Sequence, residues 1–256
     1  MARAARYAVI GRPVGHSLSP VMQRAAFRAL SINATFEAID AGPDEAPELF
    51  ARLREARYAG WNVTTPLKEQ TLSLVEQMTE QARAAHAINV IRREPGGSLV
   101  GHNTDGAGLL RALRELWSWE PPGETVLVLG TGPAARAAVA ALADQGAQIA
   151  CWSRDAQRAA RLAPPLARTP QLVVSALPPD ATLPPYIVSA ADDKTLLFDL
   201  NYGRPTSPIA TMRGRERSDG IPLLLHQGAL SFEWWTGKVA PLDAMREALL
   251  EHGGDR

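Results

Sequence analysis

Two charged side chains sit where their neighbours point to chemistry rather than solvation. Lys68 closes the run Asn62, Thr64, Thr65 and Pro66 in "GWNVTTPLKEQ", which reads as a strand entering a turn. An ammonium in the first turn of a helix opposes the helix dipole, so local helix stability gives no reason for it. Asp105, in "GHNTDGAG", follows Asn103 and Thr104 just before a helical run. It reads as an ordinary N-cap or, beside a lysine, as half of an acid/base pair. An ammonium can stabilise charge growing on a carbonyl oxygen and give it a proton, and its neutral form takes the proton back.

A third polar group is "GHSLSP", which offers the hydroxyls of Ser17 and Ser19. Ser19 before Pro20 is expected to cap a helix, and the hydroxyl pair at a helix start suits a small carboxylate or polyol.

The segment "VLGTGPAAR" places Gly130 and Gly132 between an apolar strand and an alanine-rich helix. Backbone amides there can approach a pyrophosphate, and the helix dipole favours its charge. Ala135 stands at the third position of the dinucleotide fingerprint, where close helix–strand packing is what is required. The next strand ends "CWSRDAQR", with Ser153, Arg154 and, one turn on, Arg158. Guanidinium groups at this place suit a ribose 2′-phosphate, hence NADP. Asp155 leaves two readings open: a carboxylate for the ribose of NAD, or a cap for the following helix.

These residues need a frame. "RYAVIG", "ATFEAID" and "GWNVTT" read as strands, and "SPVMQRAAFRALS", "EAPELFARLREA" and a run from about Glu69 to Ala85 as helices. Such alternation predicts an α/β domain with a largely parallel sheet. "INVIRRE" and "SLVGHN" flank Pro95-Gly96-Gly97 as a hairpin. After Pro121-Pro122-Gly123, the strands "TVLVLG", "QIACWSR", "LVVSALP" and "TLLFDLNY" with their helices form a second α/β unit. The basic run Arg213–Arg217, "RGRER", reads as a solvated loop, and the adjacent Trp234 and Trp235 as core.

The 256 residues are 46% hydrophobic, enough for one large core or two modest ones. The 27 basic and 27 acidic residues balance, so no global field favours nucleic acid or an anionic membrane. Cys151, the single cysteine, lies in the apolar "AQIACW" and admits neither an internal disulfide nor a cysteine metal cluster. The five histidines lack ligand spacing, so no metal is expected. No stretch is long and apolar enough for a signal core or membrane span, and a cytoplasmic location is expected.

In order and spacing, "GHSLSP", "NVTTPLK", "AIN", "NTDGAG", "GTGPAAR", "SR", "NYGRP" and "LLLHQGALSFEWWTG" resemble the shikimate dehydrogenase family across nearly the whole chain. The resemblance implies reversible NADP-dependent reduction of 3-dehydroshikimate to shikimate, on the route to chorismate and the aromatic amino acids. It implies Lys68 and Asp105 as the catalytic pair, Asp105 orienting the ammonium. Ser17, Ser19, Asn62, Thr64, Asn89, Asn103, Tyr202 and Gln227 would bind substrate. Gly130, Gly132, Pro133, Ala134, Ala135, Ser153, Arg154, Arg158, Ala176 and Leu177 would hold the cofactor.

The resemblance also implies a two-domain α/β fold with the site in a cleft: an N-terminal α/β substrate domain of residues 1–102 plus 228–256, and an inserted Rossmann-like dinucleotide-binding domain of residues 103–227. The partners expected are small molecules only, in a monomer or homodimer. The chain departs from the family pattern in places. His86-Ala87-Ile88-Asn89-Val90 replaces Gly-Ala-x-Asn-Thr, Pro133 replaces a glycine, "SALPPD" stands where Asn-Ala-Thr is usual, and "NYGRP" is one residue longer. Two other readings remain at this point: a quinate/shikimate paralogue using NAD, and a non-catalytic metabolite sensor of the same fold.

Overall fold

The computed structural model describes residues 3–253. The chain divides into two compact units, one of residues up to Thr104 together with those from Leu225 onward, the other of residues 105–224.

The first unit opens with β1 (Ala5–Gly11), α1 (Ser19–Ala29), β2 (Ala34–Asp40), α2 (Ala46–Glu55) and β3 (Gly60–Val63). It continues through β4 (Gln77–Met78), α3 (Glu80–Ala85), β5 (Val90–Arg93) and β6 (Leu99–His102). The six strands form one sheet in the order β2-β1-β3-β5-β6-β4. β1 runs parallel to β2 and β3, whereas β5 is antiparallel to both β3 and β6. The largely parallel sheet expected from the sequence is therefore mixed. The tight turn after Arg93, with Gly97 at φ 90°, can only join antiparallel strands.

The helix expected from about Glu69 to Ala85 is broken. A 3-10 turn covers Gln70–Ser73, the chain then joins the sheet margin as β4, and α3 starts only at Glu80. The Glu76 carboxylate accepts the Leu99 amide at 2.7 Å and Arg54 at 2.6 Å, which holds this stretch against the sheet. Thr79 then caps α3 by accepting Ala82 N at 3.3 Å. The α1 cap also differs from expectation. The helix already includes Ser19, which makes no cap bond, and the Ser17 hydroxyl accepts the Ser19 amide at 3.2 Å.

One face of this sheet buries Ile10, Trp61, Leu67, Ile88 and Ile91 against Leu49, Phe50 and Leu53 of α2. Side chains of this size each stabilise by roughly 1.5–3 kcal/mol when fully buried.

The second unit holds α4 (Asp105–Trp117), β7 (Thr125–Leu129), α5 (Pro133–Asp144), β8 (Gln148–Trp152), α6 (Ala156–Leu162) and β9 (Leu172–Ser175). α7 (Pro185–Val188), β10 (Leu196–Asp199) and β11 (Glu216–Ser218) complete it. The sheet is parallel throughout, in the order β11-β10-β9-β7-β8. Its central strands β7, β9 and β10 are buried on both faces, Val126, Val128 and Phe198 facing one core and Leu127, Leu129, Val173 and Leu197 the other. Gly106 lets α4 approach α5, since a Cβ there would lie 2.6 Å from the Ala137 carbonyl oxygen. "RGRER" is not wholly loop: its last two residues start the edge strand β11, and Arg217 donates to the Ala210 and Met212 carbonyls at 3.0 and 3.1 Å.

The chain closes with α8 (Ile221–Thr236) and α9 (Leu242–Gly253). In the first unit Phe232 packs on Phe27 at 5.4 Å, and Trp235 on Tyr7 at 5.0 Å, between ring centroids. Trp234 and Trp235 are half-buried rather than core. No helix among the described residues is long and apolar enough to cross a membrane.

Candidate active site

In the first unit four of the expected substrate-side residues share one buried region. The Asn62 amide donates to the Asn89 carbonyl at 3.2 Å and to the Ser231 hydroxyl at 3.0 Å. Asn89 donates to Thr104 Oγ1 at 2.9 Å and to Gln227 Oε1 at 3.4 Å, and its Oδ1 accepts the Thr104 amide at 2.8 Å. Asn103 donates to the Ala87 carbonyl at 3.0 Å. Sheet register explains the meeting of the first two: Asn62 in β3 lies opposite Val90, the residue after Asn89. Gln227 and Ser231 reach them from successive turns of α8.

Thr104 and Ser231 are the residues that sequence reading passed over. The Thr104 hydroxyl donates to the Gln227 carbonyl at 3.1 Å, and Ser231, with no exposed surface, does so at 2.9 Å. The available signals were the place of Thr104 inside "NTDGAG" and the four-residue spacing from Gln227 to Ser231.

Lys68 is half-buried, and its carbonyl accepts the Ile88 amide at 2.9 Å, one residue before Asn89. Thr64 N donates to the Ile10 carbonyl at 2.9 Å and Arg12 N to Thr65 O at 2.9 Å, so the loop bearing Lys68 and the loop leading to Ser17 and Ser19 share a base. His86 sits at φ 47°, the left-handed conformation that usually selects glycine, and ends α3. Burial, aided by the Arg92 charge, pushes the His102 imidazole down to about 4. Its Nδ1 lies 2.7 Å from the Thr79 hydroxyl.

In the second unit, Gly130 has φ 113° and passes so close to Ala176 that a Cβ would lie 3.1 Å from its carbonyl oxygen. Gly132 is the N-cap of α5, Pro133 its first residue, and nothing lies within 4 Å of a Cβ placed on Gly132. Ala134 is half-buried and Ala135 buried, as close packing of helix on strand requires. Ala176 N is held by Leu129 O at 2.9 Å, and Leu177 O accepts Asn201 Nδ2 at 2.8 Å.

The two readings of Asp155 resolve in favour of the cap. Its carboxylate accepts the Arg158 amide at 3.0 Å at the start of α6, while Ser153 Oγ donates to its carbonyl at 2.6 Å. Arg154 and Arg158 remain exposed at the end of β8. An open glycine turn, a helix N-terminus and two guanidinium groups fit a dinucleotide carrying an extra phosphate on its adenosine ribose.

Asp105 is the buried first residue of α4. Tyr202 lies in the loop after β10 and lines a cavity of about 230 Å³ with Asn201, Arg204 and Arg217. The buried Asp199 shapes that loop: Oδ1 accepts Asn201 N at 3.0 Å, and Oδ2 accepts the Ser207 hydroxyl.

Two family models match the chain, the shikimate dehydrogenase substrate binding domain over residues 9–91 and the shikimate 5'-dehydrogenase C-terminal domain over residues 220–250. The chain is 36% identical to the shikimate dehydrogenase (NADP(+)) of Methanopyrus kandleri, over 95% of this chain and 94% of the relative. To that of Exiguobacterium sp. it is 35% identical, over 95% and 97%. Its backbone superposes on shikimate 5-dehydrogenase from Thermus thermophilus, solved in complex with NADP(H) and shikimate, with a TM-score of 0.85, 32% identity and coverage of 97% and 99%.

Proposed function

The chain belongs to the shikimate dehydrogenase family, and from that premise we propose how its own residues carry the family's reaction. It is an NADP-dependent oxidoreductase that reversibly reduces 3-dehydroshikimate to shikimate, a step toward chorismate and the aromatic amino acids.

Bound NADPH supplies a hydride to the ketone carbon. Lys68 as the ammonium stabilises the oxygen as it becomes an alkoxide and delivers its proton; in oxidation the neutral amine takes the proton from the alcohol. Asp105 is the second member of the catalytic pair. Asn62, Asn89, Asn103, Gln227, Thr64 and Tyr202 present amides and hydroxyls to the ring hydroxyls, and Ser17 and Ser19 receive the carboxylate. Thr104 and Ser231 act behind them, holding Asn89, Asn62 and the backbone of Gln227 in place.

The cofactor would lie along Gly130, Gly132, Pro133, Ala134 and Ala135, beside Ala176 and Leu177, with Ser153, Arg154 and Arg158 on the ribose phosphate. We assign residues 1–102 with 228–256 to the substrate-binding domain and residues 103–227 to the dinucleotide-binding domain, with Asn103, Asp105, Tyr202 and Gln227 of the latter serving the substrate. We place the protein in the cytoplasm as a monomer or homodimer.

The observation carrying the substrate assignment is the gathering of Asn62, Asn89 and Gln227 in one polar network, next to Ile88, whose amide bonds the Lys68 carbonyl. The test is a spectrophotometric assay of NADPH formation from shikimate. Steady turnover with shikimate is expected, and none at any shikimate concentration would overturn the reading.

A further inference from the structure

Helix α1 is amphipathic, and Ser19, Met22, Gln23, Ala26 and Phe27 belong to its buried face. In the first unit that face meets α8. Gln23 Nε2 donates to the Gly228 carbonyl at 2.8 Å, and Phe27 packs on Phe232 with 5.4 Å between ring centroids. From one pair to the next both helices advance by one turn, so they run in the same direction along this seam. One turn before Gln23 stands Ser19, and one residue before Gly228 stands Gln227. Gly228 sets how close the helices come: a Cβ there would lie 2.2 Å from Met22 Cε.

Gln23 is fully buried, yet its amide is only partly employed, because Oε1 accepts no hydrogen bond. The helix opposite does not need the donor either. Gly228 lies inside α8, whose own ladder of backbone bonds already engages its carbonyl. An apolar side chain of the same length would fill the seam with no polar atom left unpaired, so stability gives no reason for an amide here. What the amide adds is a directed tie of fixed length between α1 and α8.

We propose that Gln23 is a positioning residue for the substrate: by tying α1 to Gly228 it fixes the span between the hydroxyls of Ser17 and Ser19 at one end and the Gln227 amide at the other. The proposal rests on the reading of those three side chains as substrate contacts. The Ser17 hydroxyl accepts the Ser19 amide at 3.2 Å, so the hydroxyl pair moves as one piece with α1. Shikimate, held at its carboxylate and at its ring hydroxyls together, tolerates little error in that span, because a rigid ring cannot follow a displaced anchor.

The test compares Gln23→Met, which keeps the length and removes the donor, with the wild type in steady-state assays of shikimate oxidation. The kcat/KM for shikimate should fall by about twofold to tenfold, the scale of one net hydrogen bond. The KM for NADP should move by less than about twofold. Thermal denaturation should give a Tm equal to or above that of the wild type, since the unpaired Oε1 is gone. On a Ser19→Ala background Gln23→Met should cost much less, because the anchor it positions is already lost.

A Gln23→Met protein with wild-type kcat/KM for shikimate would overturn the proposal. So would a loss shared equally by shikimate and NADP with a lowered Tm, or losses that simply add in the double variant. If Gln23→Met does not fold, Gln23→Asn, whose amide stops one carbon short of Gly228, is judged on the same kinetic measures. A wild type that fails to turn over shikimate at all defeats the substrate reading itself, and the proposal falls with it.

Discussion

Asn62 and Ser231, far apart in sequence, meet at 3.0 Å: the amide of one donates to the hydroxyl of the other, and Ser231 donates in turn to Gln227 O at 2.9 Å. One hydroxyl thus ties β3 to α8 inside the proposed substrate region. Ser231→Ala leaves a buried amide hydrogen without this acceptor, at a cost of about 1–3 kcal/mol. Thermal denaturation should show the loss. The KM for shikimate should rise more than that for NADPH, and equal rises in both would refute the positioning role.

Lys68→Ala should lower kcat by roughly a hundredfold to ten-thousandfold, the contribution expected of a positioned acid/base group. The segment's backbone bonds, such as Ile88 N to Lys68 O at 2.9 Å, do not depend on the side chain, so circular dichroism should match the wild type. Near-normal turnover at saturating shikimate would remove Lys68 from the reaction.

Cofactor choice separates the residues after β8. Arg154→Ala should raise the KM for NADPH far more than that for NADH, since only the former carries the phosphate. Asp155→Ala should instead cost about 1 kcal/mol of stability through the lost cap. Its NADPH/NADH preference should stay unchanged, because that carboxylate is already bonded to Arg158 N. A variant at Asp155 that switched preference would show that the carboxylate faces the ribose.

His102 makes stability depend on pH in a defined window. Its folded pKa of about 4 lies below the ordinary 6.5, so the unfolded chain binds the proton more readily. The contribution of the neutral imidazole is complete above pH 6.5 and is lost as pH falls toward 4. One such group gives a slope of at most about 1.4 kcal/mol per pH unit. Urea titrations of His102→Gln should show a shallower decline across that window than the wild type.

The parallel unit was legible because its central strands are buried on both faces and so read as continuous apolar runs, "TVLVL" above all. The break between Glu69 and Ala85 was not, because its cause is long-range: Glu76 answers the Leu99 amide across the sheet, and no local periodicity records that bond. The site divides in the same way. Asn62, Asn89 and Gln227 stood out as amides within recognisable motifs, and the sheet register and α8 bring them together. Thr104 and Ser231 were passed over because they work through other residues, and a hydroxyl that serves a neighbour looks in sequence like any other. The Ser19 cap failed for a local reason, since the helix begins at Ser19 itself and the bond falls to Ser17.

The margins of the first sheet have a consequence for how the protein behaves when concentrated. Exposed strand edges are templates on which further chains can add. At one margin β4 offers only Gln77 and Met78, too short to guide a foreign strand. At the other, along β2, the Arg24 guanidinium already occupies the Phe36 carbonyl at 2.7 Å. Strand addition to this sheet therefore finds only two residues to pair with at the β4 margin and meets an occupied carbonyl midway along the β2 margin.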